Sequence, residues 1–432
     1  MQTEKDCIAK KIMQHSCMPD TPTQSVGSFR MVPIMLAQAA GLLFGLIGVR
    51  LSTRLVAPAD YGLYGVFVSL APLGYGVVFI GLVKYLGRQW LTAPDRPALL
   101  HGTLDRLRRK SLWLVLVTAA AALVTGQMYW FWAALLLSTM LLTLYQLAQT
   151  ALQAAQEHWR DFTLSVGSSA VRAVAPPLLY AATGAGLSAL MGGFLLHAML
   201  GAVLGAMLMK RWWPRTTIRA GTELESGSIY EGPLFVILAI AGWILSGLNR
   251  WLAALFFGAE QAGYFTLAAN IATILPSMLG TMALQYFQPV WFARPHSTPE
   301  ERGALLRQVD QVAAAYTAFA LTATFTLQFV LPWLYGPLIN YRYASAASFV
   351  LCAGLSTTAV TLGFFYHTML LAARRERACG PADLAGAAAL ITGSVLAAAA
   401  GQAWFVRWLL LTPLLPWLVN RSIARHCLLS RA

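Results

Sequence analysis

Residues 186–209 have the sequence GLSALMGGFLLHAMLGAVLGAMLM, a run that contains no Asp, Glu, Lys or Arg. In an α-helix, which rises about 1.5 Å per residue, this run is long enough to cross the ~30 Å hydrocarbon core of a bilayer. Similar apolar runs follow one another along most of the chain. The segment therefore predicts a membrane-spanning helix, and its repetition predicts a protein that lies largely within the bilayer.

The composition supports the same class. Of the 432 residues, 58% are hydrophobic and only 11% are charged, whereas a soluble protein carries roughly 25% charged residues. Five cysteines show neither metal-like spacing nor a disulfide framework; they are Cys7, Cys17, Cys352, Cys379 and Cys427. We expect no metal and no cofactor.

The apolar segments number about twelve. Their predicted limits are 30–51, 63–88, 111–126, 128–153, 162–182, 186–209, 231–257, 262–292, 308–333, 344–373, 383–401 and 404–424. The predicted fold class is therefore all-α, a polytopic membrane protein with about twelve transmembrane helices.

Basic residues are distributed unevenly between the connections. Most of the 31 Lys and Arg residues fall on one side of the membrane if the N-terminus is cytosolic, and the opposite side holds only Arg50, Arg54 and Arg342. By the positive-inside rule, both termini are cytosolic. The net charge of +14 then follows from membrane topology, and no nucleic-acid partner is expected.

A long basic connection in the middle of the chain predicts two halves of six helices each. The predicted organisation is a disordered cytosolic tail (1–28), an N-terminal six-helix lobe (29–209), a cytosolic linker (210–230), a C-terminal six-helix lobe (231–425) and a short cytosolic tail (426–432). No apolar region near Met1 indicates a cleavable signal peptide, and translation from Met31 is an alternative to translation from Met1.

Two turns, one in each half, resemble each other. Residues 54–64 (RLVAPADYGLY) link the first two spans, and residues 257–265 (FGAEQAGYF) link the seventh and eighth. Each turn bears an acid and ends in Gly, followed within two positions by an aromatic residue. Since each half begins on the cytosolic side, the repeat is parallel, and a transporter holds its cargo between such halves.

The stretch from Arg54 to Leu70 resembles the first interhelical turn of the oligosaccharide flippases of the O-antigen type (Wzx-like). These flippases belong to the multidrug/oligosaccharidyl-lipid/polysaccharide exporter superfamily. Residues 81–86 (GLVKYL) and the pair Asn249-Arg250 resemble the second and seventh helices of that family. The family often has Asp-Arg at the latter position, and Asn249 replaces the acid here.

The resemblance implies a MATE-like V formed by two six-helix lobes. It implies a flippase that moves a polyprenyl-pyrophosphate-linked oligosaccharide from the cytosolic to the outer leaflet by alternating access. The implied setting is the bacterial cytoplasmic (inner) membrane and surface polysaccharide biosynthesis, of lipopolysaccharide or exopolysaccharide. The implied partners are the lipid bilayer, a lipid-linked anionic oligosaccharide, and the glycosyltransferases and polymerase of the same pathway.

Cations inside the predicted spans indicate where such a substrate binds. Four cations lie within spans: Lys84, Arg172, Arg250 and Arg407. A cation at the centre of a spanning helix costs ~2.5–3.5 kcal/mol. No acid falls clearly within a span. This asymmetry favours an electropositive cavity for an anion. The predicted substrate-binding residues are Arg50, Lys84, Arg88, Arg172 and Arg250. The alternative is that these side chains snorkel to the headgroup zone.

Coupling to an ion is less specified by the sequence. Without embedded carboxylates, His197 and His367 are the candidates for titration in the spans. The alternative for each is a helix–helix hydrogen bond.

The alternatives are two other functions. A cation-coupled multidrug antiporter of the same superfamily would use embedded acids. A membrane glycosyltransferase or polysaccharide polymerase would need a sizeable outer loop, but the longest, 333–344, holds only Arg342 as a charge. No nucleophile, metal-ligand or phosphate-loop motif is present, so we predict that the protein is not an enzyme.

Overall fold

The computed structural model describes residues 31–90, 93, 95–125, 129–212, 233–293, 298–373, 379–411 and 414–429. The described residues are nearly all helical and form no named β-strand. The predicted 1–28 tail and most of the 210–230 linker lie outside them. In the first half the helices are α1 (Met31–Leu55), α2 (Pro58–Gln89), α3 (Arg96–Thr125), α4 (Tyr129–Ala154), α5 (His158–Thr183) and α6 (Leu187–Leu208).

The second half begins with a helix of 40 residues. Its helices are α7 (Pro233–Ala272), α8 (Ile274–Ala293), α9 (Pro299–Leu334), α10 (Ala347–Ala372), α11 (Cys379–Ala399), α12 (Gln402–Leu411) and α13 (Leu414–Leu429). Short 3₁₀ turns occupy Lys210–Trp212 and Tyr341–Ala346. The last helix continues to Leu429, past residue 426, where the sequence predicts that the C-terminal tail begins.

The described residues of each predicted span are almost entirely helical, and the all-α membrane class is confirmed. The seventh and eighth spans share α7, which is interrupted only at Gly258 (φ 87°, ψ 170°). A glycine accepts this backbone conformation without a Cβ clash. The helix axis bends by 44° between α7 and α8, within the predicted eighth span.

Six helices among the described residues are each long and apolar enough to cross a membrane, and the bent pair adds a seventh. Other predicted spans do not meet this requirement for length and hydropathy, for local reasons. Helix α3 begins with a basic segment that contains Arg108, Arg109 and Lys110, and the twelfth span is divided between the short helices α12 and α13. For these two spans, charge at one end or a break in the helix accounts for the difference from the other six.

One hydrophobic core joins the two halves. It contains Val56 and Tyr61 from the first half and Phe265, Tyr343 and Phe349 from the second. These residues lie at the end of the bundle where α1 is followed by α2, which we call the junction end. The halves are thus packed together at this end.

Two further cores each belong to a single half. One is built from residues between Phe79 and Trp212, and the other from residues between Trp291 and Ala424. Both lie toward the opposite end, where α2 ends at Gln89, which we call the open end. Because the halves share a core at one end and have separate cores at the other, we infer a cleft between them that widens toward the open end.

The closest approach of the halves is made by two glycines. A Cβ added to Gly62 would overlap the carbonyl oxygen of Ala259, and one added to Gly263 would overlap the carbonyl oxygen of Pro58. Small residues allow helices to approach closely within a membrane. This contact between α2 and α7 determines how tightly the junction end closes.

Candidate functional site

Arg172 lies in the middle of α5, and its side chain is exposed. It nevertheless interacts electrostatically with groups on four other helices, which are Tyr61 and Tyr64 (α2), Tyr145 (α4), His197 (α6) and Arg250 (α7). Arg172 is thus accessible and within electrostatic range of groups on four helices, as expected for a side chain that faces the cleft. Arg172 therefore places a positive charge in the cleft.

Arg250 approaches the cleft from the other half. Its Nη2 atom donates to Oδ1 of Asn270 at 3.4 Å, and Asn270 Nδ2 donates to the hydroxyl of Tyr61 at 2.8 Å. This chain of hydrogen bonds joins α7 to α2 across the junction. The Nε atom of Arg250 is buried and has no partner among the described residues.

The structure therefore brings together two of the five predicted substrate-binding residues, one from each half. Arg172 and Arg250 are close enough for their charges to interact, although like charges repel. Two guanidinium groups that share a cleft can both bind one pyrophosphate or carboxylate through charge-assisted hydrogen bonds.

The other three predicted residues lie apart from this pair. Lys84 has an exposed side chain in the last two turns of α2, toward the open end. Arg50 lies in the last two turns of α1, where it is partly exposed and close to the junction end. The side chain of Arg88 lies outside the described part of the chain. Lys84 lies nearer the mouth of the cleft than its base.

Within the described residues, no carboxylate forms an ion pair with Arg50, Lys84, Arg172 or Arg250. The carboxylates have other partners. Asp310 accepts from the hydroxyl of Tyr366 at 2.6 Å and pairs with Arg421 Nε at 3.4 Å. Asp60 accepts from Tyr180 at 2.7 Å, Asp161 from Gln153 at 3.1 Å, and Glu157 pairs with Arg211. Asp310 lies inside the predicted ninth span, but α9 begins at Pro299, so its carboxylate is at the start of the fourth turn of a longer helix.

The two histidines differ in their surroundings. His197 is buried, and its Nε2 atom is 2.8 Å from the hydroxyl of Ser168, which joins α6 to α5. His367 is half-buried in α10. The geometry of His197 is that of a helix–helix hydrogen bond, and a coupling role for either histidine stays a prediction.

Beside Arg250, the second half contains a cavity of about 270 Å³. It is lined by the side chains of Asn249 and Arg250 and by an unusual number of hydroxyls, from Ser246, Thr273, Ser277, Ser356, Thr357 and Thr361. Sequence reasoning missed this cavity because Ser and Thr are common in spanning helices.

A second group that the sequence did not reveal closes the junction end. Arg342 reaches from the connection between α9 and α10 to the end of α1, where its Nε atom donates to the carbonyl of Thr53 at 3.0 Å. The hydroxyl of Tyr343 donates to the carbonyl of Val56 at 3.0 Å. The sequence signal was present, since Arg342 is the only charge in its connection.

Within the described residues, no group of three or more His, Cys, Asp and Glu side chains is arranged to hold a metal ion. The chemistry of the cleft is instead that of hydrogen-bond donors and positive charge. Hydrogen-bond donors and positive charge of this kind suit an anionic ligand.

The sequence matches a family model described as "Polysaccharide biosynthesis protein" over residues 31–292. No curated protein matches it.

Solved structures share the fold over nearly the whole chain. An inward-facing multidrug resistance MATE family transporter of the MOP superfamily is 11% identical, with a TM-score of 0.60, covering 91% of this chain and 98% of its own. The lipid II flippase MurJ in an inward closed conformation is 10% identical, with a TM-score of 0.61 and coverage of 94% and 88%. A Vibrio cholerae MATE transporter is 13% identical, with a TM-score of 0.57 and coverage of 92% and 94%. The predicted MATE-like fold is confirmed, and these proteins are transporters and a flippase rather than enzymes.

Proposed function

The chain belongs to the polysaccharide biosynthesis protein family, and from this premise we propose that it is a flippase for a polyprenyl-pyrophosphate-linked oligosaccharide. The substrate would pass from the cytosolic to the outer leaflet of the bacterial inner membrane by alternating access. The proposal is supported by two cations from opposite halves, Arg172 and Arg250, that lie within electrostatic range of each other and have no carboxylate partner among the described residues.

The two arginines suit a pyrophosphate for a physical reason. Charges inside a membrane are costly unless they are paired, so a site with cations alone is completed by an anionic ligand. Because one arginine belongs to each half, a ligand held by both would respond to relative motion of the halves. A binding site between two repeats is the arrangement that alternating access requires.

We assign the open end to the cytosol from the distribution of basic residues in the sequence. The conformation described here is then open inward, toward the leaflet in which lipid-linked sugars are assembled. Moving an anion outward across an inside-negative membrane is favourable by ~2.3 kcal/mol per charge per 100 mV. Export therefore has a driving force that does not depend on a coupling ion.

The test is deletion of the gene, followed by analysis of the lipid-linked sugar pool. We expect lipid-linked oligosaccharide to accumulate on the cytosolic leaflet and surface polysaccharide to fall. Complementation with the wild-type gene should reverse both effects, and complementation with Arg172→Gln should not. Unchanged lipid-linked pools and unchanged surface polysaccharide would contradict the proposal.

A cation-coupled multidrug antiporter is the second candidate, because several of the solved structures of this fold are MATE transporters. Such coupling would rely on embedded acids, whereas the buried amide of Asn249 precedes Arg250 where the related flippases often have an acid. Drug resistance that falls on deletion, with surface polysaccharide unchanged, would favour the antiporter.

A further inference from the structure

The cavity beside Arg250 combines the groups that bind carbohydrate. Hydroxyl side chains of α7, α8 and α10 line it, together with the amide of Asn249 and the guanidinium of Arg250. The ring of Phe364 also lines it and is 48% exposed, so an aromatic face is available for stacking. We propose that this cavity binds one sugar ring of the oligosaccharide, an inference that rests on the flippase function proposed above.

Two buried polar atoms at the cavity have no hydrogen-bond partner among the described residues. One is Oδ1 of Asn249, a residue that is only 6% exposed, and the other is Nε of Arg250. A buried polar atom without a partner is costly, by about 1–3 kcal/mol. Oδ1 of Asn249 can accept a hydrogen bond and Nε of Arg250 can donate one. A sugar hydroxyl can serve as the partner of either atom.

Two of the hydroxyls that line the cavity direct their hydrogens to the backbone. Thr357 donates to the carbonyl of Ala353 at 3.0 Å, and Ser246 donates to the carbonyl of Gly242 at 2.9 Å. With the hydroxyl hydrogen directed to the backbone, each oxygen keeps lone pairs for a ligand donor. A neutral polyol fits such a lining better than a second anion does.

The volume limits the ligand. At about 270 Å³ the cavity is far larger than a single water needs and lies at the lower limit of small-molecule pockets. It suits one sugar ring rather than a whole oligosaccharide. Since Arg250 contributes to both the cavity and the cleft, a substrate could place its pyrophosphate between the arginines and a sugar in the cavity.

The test compares the affinities of two lipids for the purified protein in nanodiscs. One lipid is the lipid-linked oligosaccharide isolated from the deletion strain, and the other is bare polyprenyl pyrophosphate. Thr357→Val and Ser356→Ala remove hydroxyls with little change in shape. We expect each to weaken binding of the lipid-linked oligosaccharide by roughly three- to tenfold and to leave binding of bare polyprenyl pyrophosphate unchanged.

The matched control is Thr322→Val, which removes an exposed hydroxyl that donates to the carbonyl of Ala318 in α9, away from the cavity. A larger change, Ala353→Phe, fills the cavity and should remove the preference for the sugar-bearing lipid. If all three cavity variants bind the lipid-linked oligosaccharide as the wild type does, or lose both lipids equally, the sugar site is refuted and the flippase proposal stands. If the wild type binds neither lipid, both proposals fall.

Discussion

Arg342 donates a hydrogen bond from Nη2 to the carbonyl oxygen of Val56 at 2.6 Å, across the boundary between the two halves. The last carbonyls of a helix lack partners within that helix, and cations stabilise this end. Arg342 therefore caps α1 from the opposite half. This cap must break whenever the junction end opens.

Removing the cap should loosen the junction end. In a variant whose five cysteines are replaced by serine, Ser52→Cys places a buried thiol near this end. We expect Arg342→Ala to increase the rate at which a membrane-impermeant maleimide labels that thiol from outside by several-fold, because a charge-assisted hydrogen bond contributes about 1.5–3 kcal/mol. The control is Arg407→Ala, which removes an arginine that stacks on Trp404 at 5.2 Å. Equal labelling rates in the two variants would contradict the capping role.

Gly62→Ala should destabilise the closed junction. The added methyl group would meet the backbone of Ala259 and Gly263, and overpacking of this kind costs typically about 1–3 kcal/mol. We expect a lower melting temperature in detergent and impaired function. Gly41→Ala is the matched control, since a Cβ on Gly41 meets no atom within 4 Å. If the two variants have the same melting temperature, the close contact is not essential for stability.

Arg172→Gln and Arg250→Gln should each reduce translocation of lipid-linked oligosaccharide by roughly 10- to 100-fold, as expected for the loss of a charged hydrogen-bond donor. Protein abundance should not change for Arg172→Gln, because its side chain forms no ion pair among the described residues. For Arg250→Gln the rate is normalised to abundance, because this change also removes the hydrogen bond to Asn270. Lys84→Gln should have a smaller effect because Lys84 lies nearer the mouth of the cleft. The readout is flipping in proteoliposomes, with Arg407→Gln as the control. Full activity in all three variants would refute the cationic site.

Ser168→Ala and His197→Asn test whether His197 is structural or coupling. If the 2.8 Å contact between them is structural, each change should lower stability by about 1 kcal/mol and leave the pH dependence of transport unchanged. The same measurement on His367→Asn tests the other candidate. A pH profile that flattens in either histidine variant would instead assign coupling to that residue.

The spanning helices were predictable because a bilayer demands long apolar runs, and runs such as 186–209 have no other common explanation. The merging of the seventh and eighth spans into α7 was not predictable in the same way. A single glycine, Gly258, separates them, and its effect on hydropathy is negligible.

The candidate site was predictable only in part. Arg172 and Arg250 stand out in a sequence because charge is rare within spans. The hydrogen bond from Asn270 to Tyr61 and the hydroxyl-lined cavity depend on residues that are distant in sequence and only weakly polar. Their convergence follows from how the helices pack, which composition does not specify.

The glycine contact has the form of an isologous dimer interface. Gly263 and Ala259 each lie 201 positions after Gly62 and Pro58, so the two contacts exchange when the halves are exchanged. In a symmetric homodimer, residue i of one subunit contacts residue j of the other, and j contacts i. This contact therefore has the geometry of a two-fold interface carried on one chain. Because both sides belong to one chain, a residue in one half need not be repeated in the other, so Asn249 and Arg250 need no counterpart in the first half.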